Sequence, residues 1–265
     1  MIFICGIGGI LPLTKDISKT TILEIAKHLL IENRIRGGDA SGLASWDIEK
    51  NKIIVYKQAE EAKDFIPNLK EEYIVGPTMV HCRAKTRGDP ADPENNHPMY
   101  GEKFCLIHNG IVPSMVNLPE YKYKGQCDTE VLLSYIEQFG IRDGITKIDG
   151  SAALAIMSPE NKTFYLYRHT SPLFLAYYPG KAFVFSSTES SLKKVGTMLG
   201  VERLWNLFST QMMVDFDEGQ FFSIHIETHG VLTDNIKIES TTTNTGYCCV
   251  NPNKKEYGAW GMGYD

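Results

Sequence analysis

Five short clusters carry the groups from which a catalytic site could be assembled. They are Cys5-Gly6-Ile7-Gly8-Gly9, Arg36-Gly37-Gly38-Asp39-Ala40-Ser41-Gly42, His81-Cys82-Arg83-Ala84-Lys85-Thr86-Arg87-Gly88, His108-Asn109-Gly110 and Asp128-Thr129-Glu130. Each has a structural reading and a chemical one. Cys5, in an apolar stretch, packs as a small hydrophobe; alternatively, with Gly6 permitting close backbone approach, it presents a nucleophilic thiol. Asn109-Gly110 after an apolar run spells a tight turn, or it aims a side-chain amide and a glycine N–H at a developing oxyanion. Arg83 makes a surface ion pair or offers a planar fork to a carboxylate. Asp128 caps a helix or seats an ammonium group. Together, Arg83 and Asp128 would grip the two charged ends of a free amino acid.

Other chemistries fit less well. His81, Cys82, His97, Cys105 and His108 are close in sequence, but their spacing matches no common zinc pattern, and adjacent residues on a strand face opposite ways. No metal is expected. A pairing of Cys82 or Cys105 with a histidine is an alternative nucleophile arrangement. The stretch Arg36–Gly42 lacks the spacing of a phosphate-binding loop and reads as a tight loop packed near a site.

Positioning these groups requires a scaffold of many strands and few helices. Strands are expected over residues 2–10, 53–57, 73–82, 104–108, 152–157, 163–168, 173–178, 182–187 and 221–227. Apolar residues at Ile22, Leu23, Ile25, Ala26, Leu29 and Leu30 repeat with helical period over 20–32. Further helices are expected at 60–69, 127–139 and 190–199, with Asp128 in the first turn of its helix. Residues 84–101 form a polar loop containing Pro90, Pro93 and Pro98. From Val231 the chain turns polar and reads as an extended tail packed on the body or on a partner. This pattern is α+β, with helices covering stacked sheets.

Composition narrows the class. The chain has 265 residues, 43% hydrophobic and 22% charged, which is ordinary for a globular protein. Its net charge of −5 argues against direct nucleic-acid binding. No apolar run approaches the roughly 18 residues of a membrane span. The apolar opening lacks a basic leader and reads as a buried strand rather than a signal peptide. The cysteines at 5, 82, 105, 127, 248 and 249 include no C-x-x-C pair, which suits a reducing, cytoplasmic setting.

In this order the clusters resemble the class II glutamine amidotransferase domain of the N-terminal-nucleophile hydrolases, most like the glutaminase domain of glucosamine-6-phosphate synthase. The shared motifs are Cys5-Gly6-Ile7, Arg-Gly-x-Asp-x-Ser-Gly at 36–42, His-x-Arg-x-x-Thr-x-Gly at 81–88, Asn-x-His-Pro at 95–98, His108-Asn109-Gly110-Ile111 and Asp128-Thr129-Glu130. Ser171-Pro172-Leu173 and Phe185-Ser186-Ser187 extend the likeness more weakly, to roughly residue 225.

The resemblance implies a four-layer αββα sandwich with mostly antiparallel sheets, and hydrolysis of the glutamine side-chain amide through a thioester. It implies Cys5 as nucleophile with its own α-amine as base, and Asn109 and Gly110 as the oxyanion hole. Arg83 would take the α-carboxylate, Asp128 the α-amine, and Thr86 would help hold the substrate. No cofactor is implied. The implied partners are glutamine and a separate ammonia-accepting synthase or synthetase chain.

Two departures qualify this picture. Cys5 is preceded by Met1–Ile4, so its nitrogen is an amide until a propeptide of residues 1–4 is removed, leaving a domain over 5–230 and a tail over 231–265. The family's Trp-Ala-Thr-His after the arginine is here Ala84-Lys85-Thr86-Arg87. The alternatives are a hydrolase of another small amide, or a non-catalytic glutamine-binding subunit if Met1–Ile4 stay in place.

Overall fold

Helical spacing of apolar residues over 20–32 does produce a helix. Ser18 caps it by accepting the Thr21 N–H, and Ile22, Leu23, Ile25, Ala26, Leu29 and Leu30 are buried along one stripe of α1, Lys19–Asn33. The computed structural model describes residues 5–202, 212–214 and 216–236. The proposed propeptide 1–4 and most of the tail, 237–265, lie outside them.

Two antiparallel sheets form the centre. The first holds β1 (Gly6–Pro12), β2 (Ala40–Asp47), β3 (Lys52–Gln58), β4 (Thr78–Arg83), β9 (Phe174–Tyr178), β10 (Ala182–Ser186) and β11 (Met213–Val214). Their order is β11-β9-β10-β1-β4-β2-β3. The second holds β5 (Met99–Tyr100), β6 (Cys105–Ile111), β7 (Ser151–Ser158), β8 (Thr163–His169), β12 (Gln220–His225) and β13 (Val231–Asn235), in the order β13-β12-β8-β7-β6-β5. The remaining helices are α2 (Ala62–Phe65), α3 (Asp128–Phe139), α4 (Ile141–Thr146) and α5 (Ser190–Met198).

Three apolar layers bind these elements. Leu29 of α1, Phe65 of α2 and Leu192 of α5 pack on Ile10, Val80 and Val184 of the first sheet. Between the sheets, Ile7, Trp46, Met79 and Phe185 meet Ile107, Ala155, Phe164 and Phe222. Beyond the second sheet, Leu132, Ile136 and Ile145 of α3 and α4 cover Leu106, Leu154 and Tyr167. This is the expected αββα sandwich. Strand alternation sorts β4 in particular: Val80 and Cys82 face α1, whereas Met79 faces the gap between the sheets.

The structure corrects several local expectations. β2 starts at Ala40, inside the glycine-rich stretch read as a loop, and it pairs with both β3 and β4. β4 begins only at Thr78, after a 3-10 turn at Glu71–Tyr73. Asn109-Gly110 is no turn: β6 runs through it to Ile111, paired along β7. Gly110 has φ +151°, and a Cβ there would sit 1.9 Å from the Ser151 carbonyl oxygen, so only glycine fits. α4 was not expected. The first residues of the 231–265 segment pair with β12 as an exposed edge strand. Among the described residues no helix is long and apolar enough to cross a membrane.

Candidate active site

The site lies where β1 and β4 begin and end side by side. Gly6 pairs with Cys82, and one more step of this antiparallel register sets Cys5 opposite Arg83. Alternation then puts Cys5 and Arg83 on the face with Ile7 and His81, toward the second sheet. The Cys5 sulfur accepts the Ala84 N–H at 3.3 Å and lies 3.6 Å from the Ala84 carbonyl. Burial pushes the thiol up to about 12; the Ala84 N–H opposes this, Cys127 and Asp128 add to it, and Arg83 opposes it. At neutral pH the group is therefore a thiol that needs a base.

The loop before β2 latches both strand ends. Arg36 Nε donates to the Cys5 carbonyl at 3.2 Å. The Asp39 N–H donates to the Arg83 carbonyl at 3.0 Å, and its carboxylate accepts the Lys85 N–H at 2.6 Å. Gly37 presses so closely that a Cβ would lie 2.3 Å from the Arg83 carbonyl carbon. The sequence expectation of a loop packed near a site holds for residues 36–39.

Arg83 and Asp128 are both buried, at 2% and 7% exposure. Arg83 donates to Asn96 Oδ1 at 3.0 Å and to the carbonyls of Arg87 and Gly88 at 2.6 and 3.1 Å. Asp128 Oδ2 accepts the Val112 N–H at 3.1 Å, and Oδ1 lies 3.6 Å from the Cys127 sulfur. Among the described residues no carboxylate pairs with Arg83 and no cationic side chain with Asp128. Buried charges of opposite sign, each without an ionic partner, are costly in a closed protein. They suit a ligand that carries both complementary charges.

Asn109 and Gly110 sit on β6 across the gap. Asn109 shares its strand face with Cys105 and Ile107, which line the inter-sheet core. Its Nδ2 donates to Ser187 Oγ at 3.3 Å, and Ser187 Oγ also accepts the Ile7 N–H at 3.1 Å. Ser187 thereby ties the Asn109 amide to β1. The buried Asn109 Oδ1 has no hydrogen-bond partner among the described residues. Alternation along β6 puts the Gly110 N–H on the same edge as the His108 carbonyl, the edge turned away from β7.

Buried histidines form the floor. His81 Nε2 lies 3.1 Å from the His108 carbonyl and 2.7 Å from His97 Nδ1, and His97 Nε2 lies 3.8 Å from the Cys127 sulfur. His108 Nδ1 meets Thr129 Oγ1 at 3.0 Å. Burial lowers His81 to about 3 and drives His97 well below its usual value. Burial also lowers His108, against the pull of Asp128. All three rings are neutral at pH 7.

Of the sequence-derived candidates, the fold gathers Cys5, Arg83, Asn109, Gly110 and Asp128 into one region. It leaves Thr86 exposed on the loop beside them, flanked by exposed Lys85 and Arg87. Cys82 points away, under α1, with its sulfur 3.3 Å from the Leu30 carbonyl. Cys105 belongs to the inter-sheet core. Neither makes the thiol–histidine pair weighed as an alternative. Ser187, Asn96 and Cys127 were not expected to take part. The Asn95–Pro98 motif was a signal for Asn96 and His97, while Ser187 reaches the site only through the pairing of β10 with β1. A groove of about 860 Å³ lined by Phe139, Arg142, Tyr165, Phe221 and Leu232 shares no residue with this cluster.

A family model described as a glutamine amidotransferase domain matches residues 81–194. Glutamine–fructose-6-phosphate aminotransferase (isomerizing) from Streptococcus pneumoniae is 26% identical over 218 residues, covering 74% of this chain and 34% of that protein. The Francisella tularensis protein of that name is 30% identical over 210 residues, covering 71% and 32%. The chain thus spans about a third of the length of these curated relatives. Among solved structures, glutamine phosphoribosylpyrophosphate amidotransferase from B. subtilis superposes with a TM-score of 0.64 at 18% identity, over 88% of this chain and 49% of that one. That likeness speaks for the two-sheet fold.

Proposed function

We propose that this chain, which carries a class II glutamine amidotransferase domain, hydrolyses the side-chain amide of glutamine through Cys5 and passes the ammonia to an acceptor enzyme on a separate chain. The observation that carries the reading is the pair of buried charges, Arg83 and Asp128, each without an ionic partner among the described residues. A free α-amino acid supplies the missing carboxylate to one and the missing ammonium to the other. A glutamine so held directs its amide toward Cys5.

The chemistry then divides among the groups present. The Cys5 sulfur attacks the amide carbon, and its proton must leave, because burial keeps the thiol protonated. An α-amine with a pKa of about 7.7–8.0 is well matched to that duty. In this sequence the Cys5 nitrogen is bonded to Ile4, so the base exists once residues 1–4 are removed. Asn109 Nδ2 and the Gly110 N–H stabilise the tetrahedral oxyanion. The amine takes up a proton and returns it to the departing ammonia, leaving a thioester. Water, deprotonated by the same amine, then releases glutamate and the thiol. The catalytic unit begins at residue 5 and extends past 230, because Val231–Asn235 pair with β12 in the second sheet, and Thr86 borders the substrate. Four free, buried cysteines, at 5, 82, 105 and 127, support a reducing, cytoplasmic setting.

A second reading keeps the nucleophile and changes the amide. The exposed Lys85 and Arg87 beside Arg83 would favour a substrate with additional negative charge. Intact-mass analysis paired with glutamate release tests both. Protein that begins at Cys5 is expected to release glutamate, and protein retaining Met1–Ile4 is not. Glutamine bound but never cleaved by protein beginning at Cys5 would establish a binding subunit. Turnover of a different amide in preference to glutamine would establish the second reading.

A further inference from the structure

Hydrogen positions in the buried histidine chain follow from its geometry. The His108 carbonyl can only accept, so His81 Nε2, 3.1 Å away, carries a hydrogen. His97 Nδ1 is 2.7 Å from that same atom; in this tautomer it accepts, sharing the one Nε2 hydrogen with the carbonyl. In a neutral His97 ring the hydrogen then resides on Nε2, which lies 3.8 Å from the Cys127 sulfur. Burial, and after it the Asp128 carboxylate, push the Cys127 thiol up to about 11, with Thr129 opposing. The sulfur thus keeps its hydrogen at neutral pH, and Asp128 Oδ1 lies 3.6 Å from it. Donors run in one direction, from His81 through His97 and Cys127, and end on a carboxylate. The second oxygen, Oδ2, is held by the Val112 N–H at 3.1 Å. Both oxygens of Asp128 are thereby tethered, and the carboxylate plane is fixed.

We propose that Cys127, lying between His97 and Asp128, is a positioning residue that sets the Asp128 carboxylate for the ammonium group of the substrate. This rests on the reading of Asp128 as the seat of the substrate ammonium. Cys127 does not touch the substrate; it acts through Asp128. A thiol is a weak donor, so its loss relaxes the carboxylate rather than abolishing the site. The effect falls on substrate binding through the ammonium end and spares the attack on the amide.

The test uses the Cys5→Ala chain produced to begin at residue 5, in which binding is read without turnover and with residues 1–4 absent. Dissociation constants are measured by calorimetry for L-glutamine and for glutaramate, which is glutamine without its α-ammonium. Adding Cys127→Ala is expected to weaken glutamine about tenfold and to leave glutaramate within about twofold. Cys127→Ser keeps a donor and is expected to restore glutamine binding, whereas Cys127→Val fills the space without one and is not. Equal weakening of both ligands, or a serine variant as weak as alanine, overturns the proposal. A Cys5→Ala chain that binds neither ligand overturns the reading of the site itself, a distinct outcome. If the alanine variant does not fold, the serine–valine contrast decides.

Discussion

The two faces of β4 carry the same kinds of residue to different ends. Toward α1 it presents Val80 and Cys82; toward the second sheet it presents His81 and Arg83. Burial raises the Cys82 thiol beyond the ordinary range, as it raises Cys5. Desolvation therefore does not distinguish the proposed nucleophile, Cys5, from Cys82. The neighbours do. On the α1 side Cys82 contacts the Leu30 carbonyl and is otherwise surrounded by apolar packing. On the inner side Arg83 and Asp128 have no ionic partner among the described residues, and the buried Asn109 Oδ1 has no hydrogen-bond partner among them. On β4 the face toward α1 spends its thiol on a backbone carbonyl, whereas the inner face carries a charge with no ionic partner.

The widest separation between the faces is expected in turnover. Cys5→Ala should lower glutamate release on the order of 10³-fold or more in protein beginning at residue 5. Cys82→Ala should leave release within about twofold and lower stability by about 1–2 kcal/mol. A Cys82 variant as inactive as the Cys5 one would erase the distinction.

Acid should attack the inner face next. His81, His97 and His108 are held neutral by burial, whereas the unfolded chain protonates histidine near pH 6.5. Between the folded and unfolded pKa values the unfolded state binds more protons. Stability is then fully present above about pH 6.5 and falls as the pH drops below it, by up to about 1.4 kcal/mol per pH unit for each ring. Urea midpoints at pH 7.5 and 5.5 should differ accordingly. Equal midpoints would mean that the rings protonate in place.

Asp128→Asn sharpens the contrast between stability and function. The amide oxygen can still accept the Val112 N–H, while the unpaired charge is gone. The Michaelis constant for glutamine should rise about 100-fold, or about 2.7 kcal/mol. The melting temperature of the ligand-free chain should hold or increase. A lower melting temperature would show that the carboxylate is structural. The smallest effect is expected for Ser187→Ala, which frees the Asn109 amide to rotate. Turnover should fall about tenfold with the Michaelis constant within about twofold; a change confined to the Michaelis constant would remove Ser187 from the oxyanion hole.

Local signals were legible where one periodicity ruled. The stripe along α1 and the four strands from β7 to β10 follow directly from apolar spacing. Arg36–Gly42 misled because its glycines, which suggest a loop, serve partly to let the strand approach other backbone: a Cβ on Gly42 would lie 2.0 Å from the His97 carbonyl oxygen. Asn109-Gly110 misled because its turn chemistry was overridden by pairing with Ala153 and Ala152 of β7, far along the chain. The ordered motifs identified Cys5, Arg83, Asn109, Gly110 and Asp128 as a set. Ser187, carried only by the weaker Phe185-Ser186-Ser187 likeness, and Cys127 were given no role by the motifs. Their significance lies in which side chain each meets, and Ser187 meets Asn109 only once the two sheets have been stacked.

The latch formed by Arg36, Gly37 and Asp39 makes the site a ruler. It holds the Cys5 carbonyl and the Arg83–Lys85 backbone from one short loop, so the backbones that carry the thiol and the guanidinium are tied together. The span from the carboxylate fork to the sulfur is therefore a fixed length, set by the backbone rather than by the ligand. Asparagine, one methylene shorter, could satisfy both charged ends and still hold its amide short of the sulfur. Misplacement by about 1 Å can cost on the order of 10²-fold in rate. On the proposed reading, selection for chain length would be built into a loop that need not touch the substrate.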